Sequence, residues 1–183
     1  LPLLRHIKKF NNNIILSTGM SNINEISDAL KILKKKNRNI ILLHCNTEYP
    51  TPLKDINLNA MMALKKRFNL EVGYSDHSLG IQVPILAAGL GAKVIEKHFT
   101  ISKKMTGPDH AASLNPKELI SMVKSIRDTE IILGKSKKFV SKSEKKNILI
   151  ARKSLFAAKN IKKGEKFSLS NLVCLRPGSG ISP

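Results

Sequence analysis

Short apolar runs alternate with stretches of helical periodicity along the first 134 residues of the chain. Four runs predict buried strands, at residues 13–17, 39–45, 70–75 and 92–96. After the first run, apolar residues recur at i, i+3, i+4 and i+7 and so share one helix face: Ile26, Ala29, Leu30 and Leu33. Further helices are predicted at residues 58–68, 80–90 and 115–134. This alternation implies a parallel sheet covered by helices.

Two of these helices begin with capping signals. Asn22 is followed three residues later by Glu25, and Asn115 is followed in the same way by Glu118. In such a capping box, the two side chains bond each other's backbone N–H groups and so mark the helix start. The second helix also has a proline in its first turn, and we expect it to end near Gly134.

Two architectures are compatible with four strand–helix units in a row: a doubly wound open sheet and a (β/α)₈ barrel. No strand is followed by G-x-G-x-x-G, which weakens a dinucleotide-binding interpretation. Four units make half of a barrel, and half a barrel exposes sheet edges that its other half must cover.

The pattern changes after residue 134. Residues 135–147 are polar and rich in lysine, which is typical of a linker. Short strands and turns are predicted for residues 148–183, with a turn at residues 163–165 between residues 160–161 and 167–168. The chain therefore divides into an α/β part, a linker and a small, mainly β domain.

The net charge of +19 raises the question of a nucleic-acid partner, because clustered lysine and arginine neutralise phosphates. Aromatic residues make up only 4% of the chain and tryptophan is absent, so stacking platforms for bases are scarce. The lysines are spread along helix faces, as at residues 34–36 and 65–66. We therefore expect no nucleic-acid partner, and a positive field would suit a small anionic substrate.

The apolar runs, the first residues and the two cysteines indicate the cellular compartment of the protein. No apolar run reaches the roughly 18 residues that a membrane span needs. The first residues include neither an initiator methionine nor the layout of a signal peptide, so we expect the chain to come from the middle of a longer protein. Cys45 and Cys174 fall in unrelated segments, which makes a disulfide framework improbable and the cytoplasm the expected location.

All four predicted strands end in polar, chemically capable residues. The strand ends are Ser17-Thr18-Gly19-Met20, His44-Cys45-Asn46-Thr47, Ser75-Asp76-His77 and Glu96-Lys97-His98. In parallel α/β barrels, reactive groups gather at the carboxyl ends of the strands. Packing alone does not explain four consecutive strand ends of this kind, so we predict an active site there.

His77 and His98 are the strongest metal-ligand candidates. Imidazole suits manganese, iron and zinc, and carboxylates or water complete such a shell. A single histidine in a core is more often a hydrogen-bonded structural residue than a ligand. Two histidines at adjacent strand ends, each close to a carboxylate (Asp76 or Glu96), favour a metal site. Two other histidines are weaker candidates, His44 and His110.

Five motifs at these strand ends, together with the chain's tail, resemble the sialic acid (nonulosonic acid) synthase family. The barrel motifs are ILSTGM at 15–20, LHCNTEYPTP at 43–52, GYSDHS at 73–78, EKHFT at 96–100 and GPDHAAS at 107–113. The tail LRPGSGISP at 175–183 resembles the family's antifreeze-like (SAF) domain. Six motifs in the family's order are highly specific.

The resemblance implies the C-terminal half of a TIM (β/α)₈ barrel, followed by a linker and a small antifreeze-like (SAF, β-clip) domain. The four strands would be strands five to eight of the barrel. The implied domains are residues 1–134, 135–147 and 148–183. The first half of the barrel would precede the chain, the SAF domain would be truncated, and this piece alone would be inactive.

The resemblance also implies roles for individual residues. His77 and His98 would bind a divalent metal, Mn²⁺ before Mg²⁺ or Co²⁺. Phosphoenolpyruvate would be held by Ser17, by Ser75 and by either Asn46 or Thr47. The choice between the last two is open, because some family members have these two residue types in the opposite order. The acceptor sugar would meet Tyr49, Glu96 and Asp109, of which Glu96 and Asp109 would also be catalytic with the two histidines. Arg176 would contact the sugar's N-acyl group.

The implied activity is a metal-dependent condensation of phosphoenolpyruvate with N-acetylmannosamine that releases phosphate and forms N-acetylneuraminate. The alternative acceptor is a 2,4-diacetamido-trideoxyhexose, which gives a legionaminic or pseudaminic acid. The family is dimeric, and Arg176 would reach the active site of the partner subunit in a domain-swapped homodimer.

Three other hypotheses compete with the synthase hypothesis. The chain could belong to a pyruvate lyase that uses a Schiff-base lysine, with Lys97 as the nucleophile. It could be a non-catalytic carbohydrate-binding fragment. It could also be a nucleic-acid binder, on the strength of its charge alone.

Overall fold

The computed structural model describes residues 2–34 and 39–183, and it falls into two compact units, Leu1–Gly134 and Lys135–Pro183. Of the lysine run predicted to lie on a helix face, Lys35 and Lys36 lie outside the described residues. None of the helices in the described ranges is long and apolar enough to cross a membrane.

The first unit contains a parallel sheet in the order β1-β2-β3-β4. Its strands are β1 (Ile14–Ser17), β2 (Ile40–Cys45), β3 (Glu71–Asp76) and β4 (Ile95–Lys97). Its helices are α1 (Pro2–Lys9), α2 (Ile23–Leu33), α3 (Asn59–Phe68), α4 (Gln82–Gly89) and α5 (Pro116–Leu133), with a 3₁₀ turn at Leu53–Asp55. The predicted parallel sheet and four of these helices are confirmed, whereas the sequence pattern did not predict α1.

The fourth strand begins three residues later than the prediction at residues 92–96. Its approach already pairs with β3, since the Lys93 N–H donates to the Val72 carbonyl at 2.7 Å and the Tyr74 N–H donates to the Val94 carbonyl at 2.9 Å. Apolar residues mark the half-buried start of this segment, but the regular ladder runs on to the polar residue Lys97.

Helices cover one face of the sheet and form the core with it. Leu42, Val72 and Tyr74 point to this face, where they are buried against α2, α3 and α4. The start of α2 is held by the predicted capping box, because Asn22 Oδ1 accepts the Glu25 N–H at 3.1 Å and Glu25 Oε2 accepts the Asn22 N–H at 2.8 Å. Of the apolar positions predicted for this helix, Ile26, Leu30 and Leu33 are buried in the same core.

The other face of the sheet carries the alternate residues of each strand. Ser17, Cys45, Ser75 and Glu96 are at the carboxyl ends on this face, as the strand registers require. Toward the edge at β1 the face is open, and Ile15 is 56% exposed. We call this the site face of the sheet.

The second unit is built on a two-stranded antiparallel sheet, β5 (Ser154–Ala157) with β6 (Leu172–Leu175), and on the short helices α6 (Lys142–Lys145) and α7 (Ile148–Ala151). The predicted turn is present, with Gly164 at a φ of +88°. The residues flanking this turn are not strands.

A buried asparagine explains why the strands lie farther from the turn. Asn171 Oδ1 accepts the Ser168 N–H at 2.8 Å, and its Nδ2 donates to the Lys166 carbonyl at 3.0 Å. These bonds satisfy the Ser168 N–H and the Lys166 carbonyl through a side chain, in place of partners on a neighbouring strand.

Gly73 lies where β3 passes closest to its neighbours. A Cβ at this position would be 2.3 Å from the Val94 carbonyl oxygen and 2.6 Å from a methyl group of Leu43. The backbone of β4 cannot move away without losing its pairing with β3, so the close approach of these strands requires glycine.

We therefore predict that Gly73→Ala lowers the free energy of unfolding by about 1–3 kcal/mol, as overpacked cores do. Gly89→Ala is the control, because its Cβ would meet only Thr129 Cγ2 at 3.8 Å. In a helix this change should leave stability unchanged or raise it by up to about 1 kcal/mol. Urea unfolding measures both variants, and equal stabilities would contradict the prediction.

Candidate active site

The register of β3 and β4 places four ionisable or polar side chains in two pairs on opposite faces of the sheet. Ser75 lies opposite Glu96, and Asp76 lies opposite Lys97. On the site face, Ser75 Oγ donates a hydrogen bond to Glu96 Oε1 at 2.6 Å. On the helix-covered face, Lys97 Nζ lies 2.6 Å from Asp76 Oδ2, in a pair whose side chains are 4% and 0% exposed.

The next residue of each strand end is a histidine, and the two rings meet. The ring centroids of His77 and His98 are 5.3 Å apart with the planes at 86°. His77 Nδ1 lies 2.7 Å from the Asn46 carbonyl oxygen. A carbonyl only accepts, so Nδ1 carries the proton and the lone pair of His77 is on Nε2.

Asp109 approaches the other histidine from the loop between β4 and α5. Its Oδ2 lies 3.6 Å from His98 Nδ1, and both side chains are about half exposed. This places a carboxylate, predicted to act on the sugar, beside one of the two imidazoles. The Ser75–Glu96 bond lies two residues before the two histidines along β3 and β4.

Tyr49 borders the histidine pair with its ring and binds the loop with its hydroxyl. Its ring centroid is 4.3 Å from that of His98 and 5.4 Å from that of His77. Its hydroxyl donates to the Asp109 carbonyl at 3.3 Å and lies 3.1 Å from Ser113 Oγ. Ser113 Oγ itself donates to the Asp109 carbonyl at 2.7 Å. Tyr49 therefore connects the β2 end to the loop that carries Asp109.

Of the residues predicted to hold the donor substrate, Ser17 is exposed at the end of β1. The Asn46 side chain is used within its own loop, where Oδ1 accepts the Glu48 N–H at 2.8 Å and Nδ2 donates to the Asp55 carbonyl at 3.4 Å. Thr47 is exposed.

Arg176 lies in the second unit, where it is exposed and its Nε donates to the Ala151 carbonyl at 2.8 Å. The first unit therefore brings together the residues predicted at the ends of β2, β3 and β4, and Arg176 is not among them. Ser17 stands at the open edge of the same face.

The two weaker histidine candidates have structural partners. His44 points to the helix-covered face, where its Nε2 lies 2.9 Å from the Ile56 carbonyl oxygen and its ring packs against Tyr74. His110 Nδ1 lies 2.8 Å from Thr100 Oγ1. His44 is one residue out of phase with the site face, a distinction that strand alternation could have provided.

Cys45 lies beside the site, although the sequence reasoning did not select it. It is opposite Ser75 in the β2–β3 register. Burial raises the pKa of its thiol, the nearby Glu96 carboxylate raises the pKa further, and a hydrogen bond with Ser75 opposes both effects. The thiol is therefore poorly suited to act as a nucleophile. The two-residue period of β2 could have shown that Cys45 lies on the face opposite to His44.

Two imidazoles at this site fit a divalent metal as a partial ligand set. Within residues 2–34 and 39–183, no three His, Cys, Asp or Glu side chains converge as a metal site. His77 has the arrangement of a metal ligand. The Asn46 carbonyl accepts the Nδ1 proton and orients the ring, so the lone pair on Nε2 stays available to bind an ion. The remaining coordination positions would fall to water or substrate oxygens, which suits a catalytic rather than a structural metal.

Comparison with known proteins identifies the family. The profile of the NeuB family matches residues 1–138, and that of the SAF domain matches residues 152–183. The chain belongs to the NeuB family. The predicted resemblance is thereby confirmed.

Its relatives include synthases of several nonulosonic acids. The chain is 56% identical over 185 residues to the N,N'-diacetyllegionaminic acid synthase of Campylobacter jejuni, covering 100% of this chain and 55% of that protein. It is 41% identical over 181 residues to the pseudaminic acid synthase of the same species, covering 98% of this chain and 52% of that protein. The NeuB chain thus spans about half the length of these curated relatives.

A solved structure supports the same fold. The N-acetylneuraminic acid synthetase of Leptospira borgpetersenii, in complex with citrate, is 40% identical and superposes with a TM-score of 0.73. The match covers 80% of this chain and 52% of that chain. The parallel sheet with its helices is therefore half of a TIM barrel, as predicted, and a SAF domain follows it.

We predict that Tyr49→Phe loosens the loop of residues 101–114, because it removes the hydroxyl that bonds Asp109 and Ser113 but keeps the ring. Hydrogen–deuterium exchange in that loop should accelerate, and the loss of stability should be about 1 kcal/mol.

Tyr74→Phe is the matched control. The buried Tyr74 hydroxyl has no hydrogen-bond partner among the described residues, so its removal should not weaken the fold. Identical exchange of the loop in wild type and Tyr49→Phe would show that the hydroxyl does not hold it.

Proposed function

We propose that the protein containing this NeuB chain is a nonulosonic acid synthase, a transferase that joins phosphoenolpyruvate to an N-acylated mannosamine-type sugar and releases phosphate. One observation carries the proposal: at neighbouring strand ends of the half-barrel, the His77–His98 pair lies next to the Ser75–Glu96 hydrogen bond. Metal ligands and proton-transfer groups are thereby close enough to act on a single substrate.

The proposed acceptor is a 2,4-diacetamido-trideoxyhexose, and the product is a legionaminic-type acid. From the resemblance alone, N-acetylmannosamine was the first acceptor we expected. The 56% identity over the whole chain to a protein named N,N'-diacetyllegionaminic acid synthase supports the diacetamido sugar instead. N-acetylmannosamine and a pseudaminic-type acceptor are the second and third candidates to be assayed.

His77 would hold the divalent metal through Nε2, the nitrogen opposite its hydrogen bond to the Asn46 carbonyl, and His98 would hold it through a ring nitrogen. Mn²⁺ is the proposed ion, with Mg²⁺ and Co²⁺ as alternatives. When bound, such an ion supplies Lewis-acid polarisation of a carbonyl oxygen.

The reaction forms a bond between C3 of phosphoenolpyruvate and the aldehyde carbon of the sugar. Water adds at C2 of the donor, and phosphate leaves when its C–O bond breaks. The aldehyde oxygen becomes a hydroxyl and takes up one proton, which Glu96 or Asp109 would hold and deliver. Ser75 orients Glu96 through the 2.6 Å bond, and the loop bonds of Tyr49 keep Asp109 beside His98.

The donor would lie toward the open end of the site face. Ser17 and Ser75 are proposed to bind its charged oxygens. The Ser75 hydroxyl has a single proton, which it gives to Glu96 in the substrate-free protein and would turn to the donor when phosphoenolpyruvate binds. Of the two residues left open by the sequence, Thr47 is the proposed contact, because the Asn46 side chain already bonds its own loop. The high positive charge of the chain favours the approach of such a trianionic substrate.

Arg176 is proposed to contact the sugar's N-acyl group in the active site of a partner subunit, within a domain-swapped homodimer. Its exposed position in the second unit is compatible with a contact outside its own chain. Cys45 and Cys174 are both free thiols, which supports a cytoplasmic location for the enzyme.

The Schiff-base alternative loses its nucleophile. A lysine that attacks a carbonyl must be neutral and accessible, whereas Lys97 is buried in an ion pair with Asp76 and also donates to the Ser78 carbonyl. Borohydride trapping with substrate should therefore give no covalent adduct at this residue.

The activity test is phosphate release by the protein containing this chain, with phosphoenolpyruvate, Mn²⁺ and each candidate sugar in turn. We expect turnover with the 2,4-diacetamido sugar at a higher kcat/KM than with N-acetylmannosamine. Phosphate release with none of the sugars, from a folded protein, would refute the proposed function. Sugar binding without phosphate release would support the non-catalytic alternative.

His77→Ala should abolish the metal-dependent turnover, because it removes one of the two imidazoles that would bind the ion. His6→Ala, at an exposed position on α1, is the control and should turn over like wild type. Near-wild-type activity of His77→Ala in the presence of a chelator would rule out the metal assignment.

A further inference from the structure

Three hydrogen bonds fix the backbone of the turn that follows β3. Asp76 Oδ1 accepts the Ser78 N–H at 2.9 Å, and Lys97 Nζ donates to the Ser78 carbonyl. The carbonyl of His77, between them, accepts the Thr51 N–H at 3.0 Å. The backbone around His77 thus has little freedom to rotate.

Two of these bonds come from one buried ion pair. The side chains of Asp76 and Lys97 are 0% and 4% exposed, and their charged atoms are 2.6 Å apart. Each residue precedes one of the two candidate ligands in the chain, His77 and His98. Because successive residues of a strand point to opposite faces, a pair fixed on the helix-covered face directs the next side chains to the site face.

The pair is also an unusual choice for stability alone. Burying two charges costs desolvation free energy, and apolar residues of similar size often stabilise a fold equally well. The pair bonds both polar backbone groups of Ser78, which two apolar side chains could not do. Its distinctive contribution is therefore to the geometry of the turn.

We infer that Asp76 and Lys97 are positioning residues for the proposed metal centre: their buried ion pair holds the turn after β3 so that His77 faces His98. The inference rests on the metal site of the proposed function. It concerns the orientation of the imidazole rings and not the identity of the sugar, so it can fail separately from the proposed activity.

The main test variant replaces both charges, Asp76→Leu with Lys97→Met, in the protein that contains this chain. A single replacement would leave one buried charge unpaired and so unfold the protein for an unrelated reason. The double replacement fills the same space with apolar side chains and removes both hydrogen bonds to Ser78. A second variant, Asp76→Asn with Lys97→Met, retains an acceptor for the Ser78 N–H.

The control removes another ion pair of similar length from the same region, between Lys103 and Glu118 at 2.7 Å. It is Lys103→Met with Glu118→Gln, in which the glutamine can still accept the Asn115 N–H of the capping box. This pair is partly exposed, and its hydrogen bonds among the described residues are within the pair and to the Asn115 backbone, not to the turn after β3.

Mn²⁺ affinity is measured by electron paramagnetic resonance of the free ion, and hydrogen–deuterium exchange of residues 74–81 is measured in the metal-free protein. We expect the leucine–methionine variant to unfold cooperatively, to bind Mn²⁺ at least about tenfold more weakly than wild type, and to exchange faster in this segment. The asparagine–methionine variant should lose less affinity, and the control should match wild type.

Wild-type Mn²⁺ affinity in either folded double variant would overturn the inference, and so would loss of folding in both, since the pair would then serve the fold itself. A wild-type protein that binds no Mn²⁺ would overturn it as well. A wild-type protein that binds Mn²⁺ but releases no phosphate with any sugar, together with weakened binding in the variants, would refute the proposed function and support the inference.

Discussion

Parallel pairing of β3 with β4, with Ser75 opposite Glu96 and Asp76 opposite Lys97, is the constraint on which the candidate site depends. A slip of one residue would turn every side chain of one strand to the other face. It would bury Glu96 against the helices and leave Lys97 on the site face. The close contact of Gly73 with the β4 segment and the buried ion pair both favour the observed register.

This register separates two kinds of polar group at the same strand ends. On the helix-covered face, Asp76 and Lys97 form an ion pair and also bond the backbone of Ser78. The site face receives Glu96 and the histidine pair, which retain capacity to bind a substrate or an ion. The loop after β4 completes this face with Asp109, and Tyr49 from the loop after β2, 60 residues away in the sequence, bonds the Asp109 backbone. A barrel can vary such loops while its strands keep the chemistry in place.

Strand-end chemistry was predictable from the sequence, because apolar runs locate the strands and parallel strands share one carboxyl edge. The same reasoning could not assign Tyr49, whose hydroxyl bonds depend on a distant loop, or the pairing of Asp76 with Lys97. Alternation sorts neighbouring end residues onto opposite faces, but strands with a continuous apolar signal do not tell which of the two faces the helices cover. In the second unit, the side chain of Asn171 replaced a ladder that the local pattern could not exclude.

We propose that His77 and His98 together bind one metal ion at the strand ends of the half-barrel. Anomalous diffraction from crystals of the protein containing this chain, grown with Mn²⁺, tests it most directly. The predicted result is one strong manganese peak coordinated by the Nε2 atom of His77 and by a ring nitrogen of His98, with the Asn46 carbonyl still bound to His77 Nδ1. A manganese peak elsewhere, or one that touches neither histidine, would contradict the claim.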